Sequence, residues 1–337
     1  MEFLFEYGLF LAKALTLVIA IIAVVAVVVG IASKQKAGAG NLVFDSISDE
    51  FESIKRHSEQ MLLSKDELKK LQKSRKKEDK KAEDISKPNL FVIDFIGSSM
   101  AKEVDNLRRE VTAILCVAKD KDEVLVNVES GGGVVHGYGL AASQLQRIKD
   151  ADLKLTVSID KVAASGGYMM ACVADKVIAA PFAIVGSIGV IAQLPNFNKV
   201  LKKNDIDFEM HTAGEFKRTL TMLGENNDEG RAKFKEEIEG VHELFKHHVK
   251  QNRDSLDLSK VATGEYWYGQ QALDLSLVDA LQTSDDYLLK ANEDFALYKL
   301  KYESKKTMAQ KLGVAATVTI ENTVDKLFNV LRLSRFQ

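Results

Sequence analysis

From residue 89 to residue 180 the chain repeats one pattern: a short apolar run, a turn of small residues, then a helical period. Residues 89–95, 123–128, 153–159 and 176–180 read as strands, and 98–118, 139–148 and 168–173 as helices. The strand runs are almost continuously apolar, as in parallel strands covered on both faces. Strand and helix in alternation specify an α/β core. Further along, 196–203 reads as helical, 208–211 as a short strand, and 227–251 and 268–281 as amphipathic helices.

The ends of the chain are different. Residues 14–32 carry no charge and are dominated by Val, Ile, Ala and Leu. At about 1.5 Å per residue that run spans roughly 28 Å, close to the hydrocarbon thickness of a bilayer. The start, with Glu2 and Glu6, lacks the basic character of a cleaved signal peptide, and the apolar run is too long for one. It reads as a retained transmembrane anchor. Lys34, Lys36 and the basic 65–81 stretch follow the span, so the positive-inside rule favours a cytoplasmic bulk. Residues 46–87 are highly charged with weak helical periodicity, and no aromatics are interleaved in the basic 65–81 stretch, which reads as a solvated helix or linker rather than a nucleic-acid surface. The tail, 308–335, is amphipathic. The expected organisation is therefore an anchor over 1–36, a charged helical linker over 37–87, an α/β domain over 88–300 and a tail over 301–337.

Three turns of small residues fall at strand ends: Ser130–Gly133, Ala164–Gly167 and Gly186–Gly189. Backbone free of side chains can offer N–H groups to an oxyanion. No Gly-Lys-Ser/Thr follows any of them, so they are not phosphate loops. Ser165 is the hydroxyl at the centre of Val162-Ala-Ala-Ser-Gly-Gly-Tyr168, between a strand and a helix. Taken alone, that describes a helix N-cap serine in a tight core. It is also the setting of an acyl-transfer nucleophile beside helix N-terminal N–H groups.

A serine nucleophile needs a base. Of the six histidines, His57 lies in the charged linker, and His242, His247 and His248 read as a solvated helix face. His136 and His211 follow a glycine turn and a short strand, but no spacing singles them out. Lys217, after Gly214-Glu-Phe, is a further candidate, because a desolvated lysine can serve as base. The two cysteines, Cys116 and Cys172, fall in apolar periodic segments and read as buried thiols, with no metal or disulfide spacing.

The motifs Ser130-Gly-Gly-Gly-Val-Val-His136, Ala163-Ala-Ser-Gly-Gly-Tyr168, Gly186-Ser-Ile-Gly-Val190 and Gly214-Glu-Phe-Lys-Arg218 resemble, in order and spacing, those of the signal peptide peptidase A family. Residues 263–279 resemble its C-terminal signature, and the anchor, the charged N-terminal region and 135–145 resemble one branch of it most closely. The resemblance covers essentially the whole chain. It implies a ClpP/crotonase-like α/β fold with an N-terminal transmembrane helix, and a serine peptidase working by a Ser–Lys dyad without metal or cofactor. Ser165 matches the nucleophile, Lys217 the general base and Ser187 the serine that orients the lysine. Gly133 and Gly166 match the oxyanion hole, with Gly132 their neighbour.

The resemblance also implies a homo-oligomer at a bacterial inner membrane, acting on peptide or protein substrates that are membrane-derived or unfolded. Better-known members work on the outer side, against the charge distribution, so the side stays open. One departure is Gly131, where relatives carry proline. Three alternatives compete with this reading. A Ser-His-Asp peptidase on the same fold lacks a histidine between Ser165 and His211. An acyl-CoA enzyme lacks a nucleotide signal. A non-proteolytic membrane scaffold would have no need of Ser165, Ser187 and Lys217 together.

Overall fold

The computed structural model describes residues 7–11, 13, 15–17, 40–82 and 87–303. The chain divides into two compact units, Val43–Lys301 and a second made of the two terminal stretches, 1–42 and 302–337.

The larger unit is built on a parallel sheet. Its central strands are β2 (Asn89–Ile96), β3 (Glu123–Glu129), β4 (Lys154–Ile159) and β6 (Lys176–Ala179). With β1 (Asn41–Ser46), β9 (Ala280–Leu281) and β10 (Ala296–Glu303), the order across the seven-stranded sheet is β1-β10-β2-β3-β4-β6-β9. Every pair from β10 to β9 is parallel. Consecutive Val124, Leu125 and Val126 are all inaccessible to solvent, which explains the unbroken apolar runs: both sheet faces are covered. The crossover helices α3 (Val104–Val117) and α4 (Val135–Asp150) pack on each other, and α4 packs on α5 (Gly166–Ala171).

A second sheet has the order β5-β7-β8, from Val162–Ala164, Ile184–Gly186 and Tyr266–Tyr268. β5 runs parallel to β7, and β8 antiparallel to it. This small sheet sets one glycine turn beside another.

The charged 37–87 segment does more than expose itself to water. Its helix α1 (Ile47–Leu62) starts at the N-cap Ser46, whose side chain accepts the Asp49 N–H. Ile47 then joins Leu90, Val92, Leu125, Leu288 and Leu297 in a buried cluster, with Phe51 packed on its edge. The Ser48 hydroxyl donates to the Asn292 side-chain Oδ1 at 2.6 Å and accepts the Leu297 N–H at 3.0 Å. Only α2 (Lys65–Ala82) is the solvated helix that its composition suggests.

Several expectations are corrected. The 208–211 segment is not a strand: it is exposed and pairs with no strand among the described residues, so its alternation gains no ladder to stabilise it. The 98–118 helix begins only at Val104, because residues 98–103 are held in a turn by the Glu103 carboxylate, which accepts the Ser98 N–H and hydroxyl. The 268–281 helix is one short helix, α9 (Gly269–Asp274), followed by β9. Cys116 is exposed, and only Cys172 is buried. No helix among the described residues is long and apolar enough to cross a membrane. The apolar run 14–32, apart from residues 15–17, lies outside the described residues, as does the tail beyond residue 303.

Candidate active site

Ser165 sits where β5 ends and α5 begins. Its backbone is held at φ 52°, ψ −116°, a region that costs a non-glycine residue about 1–3 kcal/mol. The surroundings enforce it. The Ser165 N–H donates to the Gly186 carbonyl at 2.8 Å, and the Ser165 carbonyl accepts the Met169 N–H at 2.9 Å. One residue earlier, the Ala164 N–H donates to the Ser130 carbonyl at 2.9 Å, and the Ser130 N–H returns to the Val162 carbonyl at 2.8 Å. The Ser165 turn is thus pinned between the other two small-residue turns.

The Ser130–Gly133 turn lies directly on it. Gly132 has φ +89°, and a Cβ there would come within 2.7 Å of both the Gly166 nitrogen and the Ser165 Cβ. A Cβ on Gly133 would run into the Ser99 carbonyl, whose oxygen accepts the Val134 N–H at 2.9 Å. Side chains are excluded here because backbone must meet backbone. Neither the Gly133 nor the Gly166 N–H meets a hydrogen-bond acceptor among the described residues. Two backbone donors without a partner among the described residues therefore line the same cleft as a strained serine at a helix start.

The third turn carries Ser187, also at positive φ, 51°. Its N–H donates to the Glu265 carbonyl at 2.7 Å, and its hydroxyl reaches the Gly264 carbonyl at 3.3 Å. Ser165, Ser187, Gly133 and Gly166 line one cleft of about 840 Å³. Its walls are otherwise mostly apolar and include Val135, Met169, Ile191 and Phe245.

The candidate bases are distributed differently. Lys217 is exposed on the irregular 205–226 segment and is not among the cleft-lining residues. His136 and His211 are exposed and also lie outside the lining. His242, which reads as solvated in the sequence, does line the cleft. It projects from α7 (Asp228–Asn252), and its Nε2 lies 3.2 Å from the Ile188 carbonyl oxygen. A carbonyl only accepts, so that bond places the proton on Nε2. The signal was present in the sequence: His242 is next to Val241 and one turn from Phe245, on the helix's apolar edge. No group of three His, Cys, Asp or Glu side chains suited to a metal occurs among the described residues.

With this geometry, comparison with known proteins is direct. The model for Peptidase family S49 N-terminal matches residues 2–145, and that for Peptidase family S49 matches residues 147–298. The chain belongs to peptidase family S49. Two curated relatives named Probable protease SohB are each 46% identical to it. The Haemophilus influenzae protein aligns over 96% of this chain and 96% of its own length. The Buchnera aphidicola protein aligns over 97% and 98% respectively. A solved structure of the 1510-N membrane-bound stomatin-specific protease is similar at 12% identity, over 69% of this chain and 99% of that one, with a TM-score of 0.45. The S49 match spans all three turns of the cleft and the segment that bears Lys217.

Proposed function

We propose that this S49 member is a serine endopeptidase that hydrolyses peptide bonds with Ser165 as nucleophile and Lys217 as general base. One observation carries the reading: Ser165 stands in a strained turn, in an apolar cleft, with the Gly133 and Gly166 N–H groups beside it. In the reaction Lys217 takes the Ser165 proton as Oγ attacks the peptide carbonyl. The oxyanion is held by the two N–H groups. The lysinium then gives its proton to the departing amine, and water releases the acyl group by the same route. Ser187 orients the lysine.

A lysine acts as base only when shielded from water. Lys217 is exposed in the single chain, and the 191–223 stretch around it leaves Ile191, Phe197, Phe208 and Phe216 exposed too. Burial of that stretch in a homo-oligomer brings Lys217 toward the cleft in this reading. The apolar run at 14–32 anchors the assembly in a bacterial inner membrane, and the apolar cleft suits membrane-derived or unfolded peptides. A second reading has one observation in favour, the presence of His242 rather than Lys217 in the cleft.

The experiment is cleavage of an unfolded protein by the full chain, by Ser165→Ala and by Lys217→Ala, each checked for unchanged folding and assembly. Silence of both variants supports the dyad. Full cleavage by Lys217→Ala removes the lysine and gives the base role to His242. Full cleavage by Ser165→Ala ends the serine mechanism.

A further inference from the structure

Tyr138 touches both sides of the oxyanion site and belongs to neither. It lies in α4 and is inaccessible to solvent, with its ring edge-on to Phe95 at 6.3 Å between centroids. The ring is packed so tightly on Gly166 that a Cβ there would overlap it. The phenol oxygen reaches the other side. It donates to the Ser98 carbonyl at 2.8 Å and is hydrogen-bonded to the Ser130 hydroxyl. The Ser130 hydroxyl in turn accepts the Gly132 N–H at 3.1 Å.

The hydrogen bonds can run in one direction. The Gly132 N–H donates to Ser130, the Ser130 hydroxyl to Tyr138, and the Tyr138 hydroxyl to Ser98. Each hydroxyl gives once and takes once. Burial, reinforced by the Glu103 charge, holds the phenol above its usual pKa, so it stays a donor across the neutral range.

We propose that Tyr138 is a positioning residue that sets the gap between the Gly133 and Gly166 N–H groups, so that both reach one oxyanion. The ring fixes Gly166 and the hydroxyl fixes the turn that carries Gly133. This rests on the reading of Ser165 as nucleophile and adds to it a brace that the reaction itself never touches. Tyr138→Phe separates the two contacts, because it keeps the ring on Gly166 and releases only the turn. Ser130 would not be orphaned, since its hydroxyl also reaches the Gly97 carbonyl at 3.3 Å.

The test is steady-state cleavage of an unfolded protein or peptide, with inhibition by a peptide aldehyde whose adduct with Ser165 carries an oxyanion. Losing a whole oxyanion donor costs about 10²–10³ in kcat, so a loosened pair is expected to cost about tenfold. Tyr138→Phe is expected to lower kcat by about that factor, leave KM within twofold, and raise the aldehyde Ki in step with the fall in kcat. Ser130→Ala is expected to do the same, and it carries the test if Tyr138→Phe does not fold. A lower melting temperature with unchanged kcat and Ki overturns the proposal, because packing alone would then be lost. Ser165→Ala keeps the two questions apart. If it still cuts, the nucleophile reading has failed. If it is silent while both brace variants keep wild-type kcat and Ki, only the brace has failed.

Discussion

The Ser165 N–H and the Gly186 carbonyl meet at 2.8 Å, and this one bond joins the Ser165 turn to the turn that carries Ser187. It exists because Gly186 takes φ +97°, where an L side chain is strained, and because its face lies on the Trp267 ring. A Cβ at Gly186 would come within 2.8 Å of the Trp267 ring. Gly186→Ala is therefore expected to destabilise the protein by about 1–3 kcal/mol and to lower cleavage more than any shift in folded fraction explains. Denaturant melts and kcat on the same preparation check this. Wild-type values in both would show that the two turns are not coupled through this bond.

The strands β2, β3 and β4 and the three small-residue turns were legible because each depends on local chemistry. Apolar runs mark covered strands, and glycine marks backbone contact. What the sequence misplaced depends on long-range packing. The 208–211 alternation looks like a strand, but no strand pairs with it among the described residues. Cys116 is in an apolar helix, yet the buried stripe of α3 runs through Leu107, Val111 and Ile114, and residue 116 points away from it. His242 lies on a charged helix, but Val241 and Phe245 place it on that helix's apolar edge, where it faces the Ile188 carbonyl. Ser165 and Ser187, singled out through motifs, line one cleft. Ser130 and Tyr138 are eight residues apart in the sequence, but the bond between them appears only once the turn from β3 into α4 is folded.

The two thiols differ enough to be told apart chemically. Burial pushes the Cys172 thiol up to about 12, and the side chain is inaccessible, whereas Cys116 is exposed on α3. The thiolate is the reactive form, so Cys172 is inert in the native fold. A maleimide at neutral pH is expected to label one thiol per folded chain and two after unfolding. Cys116→Ser is expected to abolish the native label. Rapid native labelling of that variant would mean that α5 opens readily beside Ser165.

Arg253 and Asp279 close the base of the core. Two guanidinium nitrogens donate to the two carboxylate oxygens at 2.8 Å each, and the Val177 N–H donates to the same carboxylate at 2.7 Å. Burial alone would raise the Asp279 pKa, but the Arg253 bonds and the Val177 N–H outweigh it and hold it below the usual carboxylate range. A depressed folded pKa contributes stability that is present above the unfolded value, about 3.9, and lost as pH falls through the folded one. Asp279→Asn leaves Arg253, with only 8% of its side chain exposed, without its charge partner. Because Asp279 is itself 36% exposed, the expected cost at pH 7 is about 2–3 kcal/mol rather than the larger figure for a sealed pair. The gap between wild type and variant is expected to narrow below pH 4. Urea melts at pH 7 and pH 3 measure it, and a gap that stays constant would show that the pair carries no pH-linked stability.

Gly131 stands where the family resemblance leads one to expect proline, and the structure offers room for one. A Cβ at Gly131 meets nothing within 4 Å, and its φ is not in the left-handed region. Its N–H meets no acceptor among the described residues. The preceding Ser130 is in a parallel bridge with Ala163, the extended conformation that a following proline favours. Proline there removes freedom from the unfolded chain and costs no native hydrogen bond. Gly131→Pro is expected to stabilise the protein by about 0.4–1 kcal/mol and to leave kcat and KM within twofold. A thermal melt and a cleavage assay decide it. Higher stability with lost cleavage would mean that the turn must flex around the oxyanion during turnover, and lower stability would mean that Gly131 uses a backbone angle that proline cannot reach.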